Sequence, residues 1–351
     1  QLRSVLRPQI RDASNGTSHS NGDGSRDPIP SIYKPLIERF WPGPLTIILP
    51  TPSDSVLASE VTAGLKTFGA RIPRNLLALS LIKLADRPIA APSANASTKP
   101  SPTAAEHVKE DLDGRIGTIL DGGPCDVGVE STVVDGLSHP PAILRPGGIT
   151  LEQLRACPGW EDVRIGYQNV AQKGGSAPRA PGMKYRHYSP KAPVILYEAN
   201  TSPVERDILD SGLGGELDPG VYGVIRTKTW RKTGPEAQER TESAEAQSNG
   251  TATSSVPTSS IPWTQAVQPR TVPQAQLVSP EPSQHRRWEV WDIGLGPATE
   301  DIARGLFSAL RELDRKGVQK IFVEGIDDSE GDVAAAVMNR LRKAAEVHVS
   351  S

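Results

Sequence analysis

The sequence predicts an α/β protein of two domains, a twisted mixed-sheet domain followed by a smaller one built on parallel strands. Three observations carry this. The chain has 351 residues, which at roughly 100 to 200 residues per domain suits two. Short β-favouring runs separated by Gly- and Pro-rich turns fill residues 45–144, the pattern of a sheet with several hairpins. Near the C-terminus, strand-like and helix-like segments alternate, as they do in a parallel sheet covered by crossover helices.

From the N-terminus, residues 11–30 (RDASNGTSHSNGDGSRDPIP) offer almost nothing apolar to bury and read as a disordered surface insertion. Strands are expected at 45–49, 67–72, 88–91, 118–120, 131–134 and 142–144. Between them, Leu76, Leu77, Ser80, Leu81 and Leu84 share one helical face, and a helix over 102–112 is expected to start with Ser101 as N-cap and Pro102 in its first turn. Residues 171–191 form a basic strap between the domains. Residues 194–197, 221–225, 288–293 and 320–324 read as strands, with a last short one at the end. The helices between the later strands carry the stripes Ile302, Leu306, Ala309, Leu313 and Val333, Val337, Leu341, Ala344. This alternation makes 192–226 and 288–351 a small Rossmann-like domain. Residues 227–287, rich in Pro, Ser, Thr, Gln and Ala, are a low-complexity insertion, and residues 1–170 are the first domain.

Composition narrows the function classes. Hydrophobic residues make up 36% of the chain, and 32 Gly with 32 Pro fall short of a low-complexity protein, so most of it folds. No apolar run approaches the roughly 18 to 20 residues of a membrane span, and residues 1–9 carry no signal-peptide apolar core, so neither membrane insertion nor secretion is expected. Cys125 and Cys157 are too few for a disulfide framework or a zinc knuckle, which fits a cytoplasmic, reducing location. The net charge of −2 predicts no nucleic-acid coat, yet residues 141–191 hold eight Lys or Arg against three acids, a candidate phosphate or RNA surface. Met183 and Met338 are the only methionines, so the expectation is a sequence that opens inside a longer one.

The generic fingerprints of phosphate loops, nucleophile elbows, zinc helices and dinucleotide folds are absent. The chemistry therefore falls to other motifs. The loop Ala91-Pro92-Ser93-Ala94-Asn95-Ala96-Ser97 offers hydroxyl and amide donors beside a helix start, and serves equally as a turn with an N-cap. Alternation puts Thr67, Gly69 and Arg71 on one face, where a guanidinium can clamp a carboxylate or lie solvated at an edge. Glu130-Ser131-Thr132 starts a strand, and Arg145-Pro146-Gly147-Gly148 ends one in a tight turn. In the strap, His187 reads either as a base or as a hydrogen-bonded spacer residue, and His107 reads as a surface side chain.

In order, Phe40-Trp41-Pro42-Gly43-Pro44-Leu45-Thr46, Arg71-Ile72-Pro73, Pro92-Ser93-Ala94-Asn95, Gly128-Val129-Glu130-Ser131-Thr132-Val133, Leu144-Arg145-Pro146-Gly147 and Pro181-Gly182-Met183-Lys184-Tyr185-Arg186-His187-Tyr188 resemble the threonylcarbamoyl-AMP synthase family in its two-domain form. The resemblance implies a YrdC-like first domain and a nucleotidyltransferase that makes threonylcarbamoyl-adenylate and pyrophosphate from L-threonine, bicarbonate and ATP with Mg²⁺. The product serves tRNA threonylcarbamoyladenosine through a downstream transfer complex. It also implies that Arg71, Ala91 and Ser131 hold threonine, and that Thr67, Ser93, Asn95, Ser101, Arg145 and Tyr188 hold ATP. Two departures go with it. The family's Lys-x-Arg strand would precede Gln1, so the chain is expected to be N-terminally truncated and short of its main triphosphate cations, and Thr98-Lys99 stands where many members have glycine. The insertions lean towards a eukaryotic source. Two competing readings use the same domains: a double-stranded RNA-binding protein without turnover, since YrdC-like domains also have that association, and a scaffolding paralogue. The Rossmann-like domain is expected to be a cap that positions the strap.

Overall fold

The structure, a computed structural model, describes residues 2–6, 27–166, 187–201, 220–230, 275–278 and 288–350. In chain order the helices are α1 (Leu2–Leu6), α2 (Lys34–Phe40), α3 (Ser59–Thr62), α4 (Leu76–Ala85), α5 (Ala105–Leu112), α6 (Leu151–Arg155), α7 (Thr299–Arg315) and α8 (Asp332–Ala344). The strands of the first sheet are β1 (Leu45–Pro50), β2 (Thr67–Ala70), β3 (Thr132–Asp135), β4 (Ala142–Arg145) and β5 (Arg164–Ile165). Those of the second are β6 (Val194–Tyr197), β7 (Gly220–Arg226), β8 (Gln276–Val278), β9 (Trp288–Gly294), β10 (Lys320–Glu324) and β11 (Val347–Val349).

The first sheet runs β2-β1-β3-β4-β5 and is mixed, as expected: β1 is antiparallel to β2 and parallel to β3, and β4 is antiparallel to β3. Strand periodicity sends Leu45, Ile47 and Leu49 to a core shared with Tyr33, Leu36, Leu154 and Trp160, while Ile48 turns to the other face with Val133 and Leu144. The two large aromatic residues fix loops as well as filling space. Trp160 Nε1 donates to the Ile32 carbonyl at 2.8 Å, and the Tyr33 hydroxyl takes the Gly136 N–H at 2.8 Å. The helix α6 starts at a capping box, with Thr150 Oγ1 accepting from Gln153 N at 3.1 Å and Gln153 Oε1 from Thr150 N at 2.9 Å.

The second sheet runs β11-β6-β10-β7-β9-β8, parallel throughout except for β8, which bears out its Rossmann-like character. The crossovers from β9 to β10 and from β10 to β11 move the same way across the sheet, so right-handed connection places α7 and α8 on one face. There Leu306, Leu310, Val337 and Leu341 pack on Leu196, Ile225, Ile321 and Val323. Alternate residues of the same strands, Ile195, Tyr222, Val224 and Phe322, form a second cluster on the opposite face.

Several expectations are corrected. Residues 88–91 and 118–120 are not strands, because no described strand lies beside them and a ladder needs a partner. The strand at 67–72 ends at Ala70. The helix expected from 102 begins at Ala105 with Ala104 as N-cap, and Ser101 is buried elsewhere. His107 is buried, 1% exposed, with Nδ1 accepting from Thr103 N at 3.2 Å. The apolar stripe of α4 is helical but not core: Leu76 is 79% and Leu84 85% exposed, and the helix is set by Asn75, whose side chain accepts from Ala78 N at 3.1 Å. The ends of the low-complexity stretch join the second sheet, with residues 276–278 pairing as β8 and residues 227–230 wrapping the buried carboxylate of Glu324. Most of residues 11–30 and residues 171–186 of the strap lie outside the described residues.

Candidate active site

The sequence Trp41-Pro42-Gly43-Pro44 brings the end of β2 against the start of β1. Gly43 N donates to the Ile72 carbonyl at 2.9 Å, and the Gly43 carbonyl accepts from Arg71 Nε at 2.9 Å. A side chain at Gly43 would collide with the Phe40 carbonyl, so this clamp requires glycine. Held by Nε, Arg71 keeps two Nη groups with no partner among the described residues. Partial burial lowers its pKa from the ordinary value, opposed by the nearby Cys125 thiol.

Beside it, Ser131 and Thr46 share a hydrogen bond of 2.7 Å between their hydroxyls. Arg145, 9% exposed, reaches across from β4: its Nε and Nη2 donate to the Ser131 carbonyl at 3.1 and 3.0 Å, and Nη2 to the Ser131 hydroxyl at 3.2 Å. Burial lowers the Arg145 pKa, countered by Glu130. The turn after Arg145 lies so close that a methyl group at Gly147 would strike the backbone of Glu130, Ser131 and Thr132. The two turns read from sequence as separate features are thus one packed unit.

Glu130 is the hub, and no role was read for it in the sequence. Its Oε1 accepts from Ser101 Oγ at 3.3 Å, its Oε2 from Arg340 Nε at 3.0 Å, and the Tyr188 hydroxyl also bonds to it. Burial would push the carboxyl up, but the charges of Arg340 and Arg145 and the Tyr188 bond outweigh it and hold the pKa at about 2. Tyr188 sits 1% exposed with φ at 65°, a left-handed conformation uncommon for a bulky residue, and its ring lies 5.1 Å from that of Phe307. Its neighbours tie the end of the strap down: Ser189 N donates to Thr98 O at 2.8 Å and His187 N to Lys343 O at 3.3 Å.

These groups border one open cleft of about 3540 Å³, which also reaches Thr67, Ala91, Ser93 and Phe307, so both domains wall it. Of the nine residues singled out from sequence, Thr67, Arg71, Ala91, Ser93, Ser101, Ser131 and Arg145 line the cleft. Tyr188 lies behind Glu130. Asn95 points away: its Nδ2 donates to the carbonyls of Ala96 at 2.7 Å and Lys99 at 3.3 Å and braces the loop. His187 lines the cleft with its ring 4.2 Å from that of Tyr188. The basic stretch 141–191 supplies no continuous described surface, since Arg145 is buried in the cleft wall and residues 167–186 lie outside the described ones.

Sequence reasoning missed Thr46, Arg311 and Arg340. A signal existed for the last. Arg340 falls three residues after Val337 and four before Ala344, on the buried face of α8, and an arginine there implies a buried partner.

Comparison with known proteins gives concordant results. A family model described as telomere recombination matches residues 19–147, and one described as threonylcarbamoyl-AMP synthase, C-terminal domain, matches residues 149–346. The threonylcarbamoyl-AMP synthase of Schizosaccharomyces pombe is 40% identical over 99% of the chain and 74% of its own length. That of Bacillus subtilis is 39% identical over 91% of the chain and 74% of its own length. The crystal structure of Pyrococcus abyssi Sua5 complexed with L-threonine superimposes with a TM-score of 0.65 at 36% identity, covering 92% of the chain and 76% of the other.

Proposed function

The chain belongs to the threonylcarbamoyl-AMP synthase family, and from that premise we propose how its cleft joins L-threonine, bicarbonate and ATP into L-threonylcarbamoyladenylate. The threonine amine attacks the bicarbonate carbon, and the bicarbonate hydroxyl leaves as water with one amine proton, giving the carbamate. A carboxylate oxygen of that carbamate attacks the α-phosphorus of ATP, and pyrophosphate leaves. The reaction needs in-line positioning and dispersed charge stabilisation rather than a covalent nucleophile.

The observation that carries the assignment of residues is Arg71, anchored through Nε with both Nη groups at the cleft and unengaged among the described residues. A planar fork fixed in that way suits the threonine carboxylate, with Ser131 and Ala91 completing the pocket. Ser93, Ser101, Thr67 and Arg145 supply hydroxyls and one cation to the nucleotide, and Tyr188 acts from behind through Glu130. Asn95 spends its Nδ2 on the Ala96 and Lys99 carbonyls, which leaves its Oδ1, without a partner among the described residues, as the atom that would accept from ATP. Mg²⁺ enters with the substrate as MgATP, since Mg²⁺ at nucleotide sites binds largely through phosphate oxygens.

The product serves threonylcarbamoyladenosine formation in tRNA, handed to a downstream transfer complex. No described helix is long and apolar enough to cross a membrane, and the free thiols of Cys125 and Cys157 suit a cytoplasmic location. The test is pyrophosphate release with MgATP. Release that depends on both threonine and bicarbonate is expected; release indifferent to threonine overturns the proposal.

A further inference from the structure

We propose that Arg340, on α8 of the second domain, is a positioning residue for the nucleotide cleft of the first, holding and compensating Glu130 from behind so that its carboxylate does not repel phosphate. The inference rests on the reading of this cleft as an ATP site.

The problem it solves is electrostatic. Glu130 lines a cleft that must take a polyanion, and an uncompensated carboxylate there repels phosphate. Arg340 is 0% exposed and places Nε 3.0 Å from Glu130 Oε2, while its Nη1 is spent on the Ala336 carbonyl of its own helix at 3.2 Å. Among the described residues its one hydrogen bond to the cleft lining goes to Glu130, and its Nη2 is buried without a hydrogen-bond partner there. The helix that carries it is fastened at both ends to the catalytic side: the Asp332 carboxylate accepts from Leu151 N, and the Lys343 carbonyl accepts from His187 N. The remaining oxygen of Glu130 is then free to orient Ser101, and its charge to orient Tyr188.

The charged and titratable groups around Glu130 are Arg145 from β4, Tyr188 after the strap, and Arg340 and Lys343 from α8, with Arg71 acting on Arg145 across the cleft. Burial, then the neighbouring Arg340 and Arg145 charges, depress the Lys343 pKa to about 8. Cations thus surround a single carboxylate, and of the two from α8 it is Arg340 that hydrogen-bonds to it.

The experiment measures binding of a non-hydrolysable ATP analogue and of threonine by calorimetry to the full chain, at pH 8 and pH 5.5. Arg340→Met is expected to weaken the ATP analogue about tenfold at pH 8, the scale of one charged contact, and to leave threonine binding within about twofold. Without Arg340 the Glu130 carboxyl titrates higher, so the deficit shrinks at pH 5.5. The double variant Arg340→Met with Glu130→Gln recovers part of the ATP binding, because both charges of the pair are gone while an amide still bonds Ser101 and Tyr188. Equal loss for both ligands, or no recovery in the double variant, overturns the inference. Should Arg340→Met alone fail to fold, Arg340→Lys carries the test. It keeps the charge, so a loss of only about threefold, confined to the nucleotide, is expected; a loss shared equally by threonine, or a full tenfold loss, overturns the idea. A wild-type chain that binds threonine but not the ATP analogue overturns the nucleotide reading, and this inference with it.

Discussion

Arg311 Nη2 lies 2.7 Å from Asp111 Oδ2, in a buried ion pair that joins α7 of the second domain to α5 of the first. The same guanidinium donates to the Pro100 carbonyl through Nε at 3.0 Å and Nη2 at 2.6 Å, and Lys99 Nζ reaches the other oxygen of Asp111 at 2.6 Å. Ala96 N completes the set at 3.1 Å. Burial would raise the Asp111 pKa, but the bonds from Arg311, Lys99 and Ala96 hold it at about 2. The second domain therefore grips the loop that carries Ser93 and Ser97 through one residue, as well as meeting Glu130 through another.

Removing Arg311 leaves a buried carboxylate with one cation, which costs on the order of 3 to 5 kcal/mol. Arg311→Met is expected to lower the denaturation midpoint steeply, and Arg311→Met with Asp111→Asn to recover most of it in denaturant titration. Equal midpoints for the single and double variants would show that packing, not charge, holds the interface.

Arg71→Ala is expected to raise the threonine KM by roughly ten- to a hundredfold, the range of one or two charge-assisted bonds, and the ATP KM much less. Separate titrations of the two substrates against pyrophosphate release decide it. Equal losses would remove Arg71 from the threonine carboxylate.

His107 gives the fold a pH dependence on the acid side of neutrality. Burial, then repulsion from Arg311, depresses its pKa to about 4 against an ordinary 6.5. The unfolded chain therefore binds the extra proton between these values, so stability is full above about 6.5 and falls as pH drops towards about 4, by on the order of 2 to 3 kcal/mol. His107→Gln should flatten the urea midpoint across that window; an unchanged slope would mean that the ring is not held neutral.

At Gly128, φ is 76° and a methyl group would collide with the Ala303 carbonyl and the Arg304 backbone of α7. Gly128→Ala combines a left-handed penalty with a clash at the domain contact, and about 2 to 3 kcal/mol of destabilisation is expected. Thermal unfolding indistinguishable from the parent chain would contradict this placement.

Leu76→Glu and Leu84→Glu are expected to change stability by less than about 0.5 kcal/mol, because both side chains face solvent in this chain. Leu45→Ala, in the core of β1, should cost about 2 to 5 kcal/mol. A large loss in either glutamate variant would mean that the α4 face is covered.

The sequence by itself determined what local chemistry controls. Short β-favouring runs marked β1, β3, β4 and the parallel strands of the second domain, and the stripes of α7 and α8 were legible because each buries one continuous face. Ordered motifs identified the family, and most of the residues they singled out do line one cleft. Where neighbours decide, local pattern was insufficient. Residues 88–91 have strand composition without a strand partner, α4 has an apolar stripe without a core, and His107 has a polar side chain inside one. Only the tertiary structure brought Arg340 and Arg311 to Glu130 and Asp111, because contacts about 200 residues apart leave no periodic trace. An ion pair is set by which charged atoms meet in a low-dielectric interior, and that meeting is decided by the packing of one domain on the other.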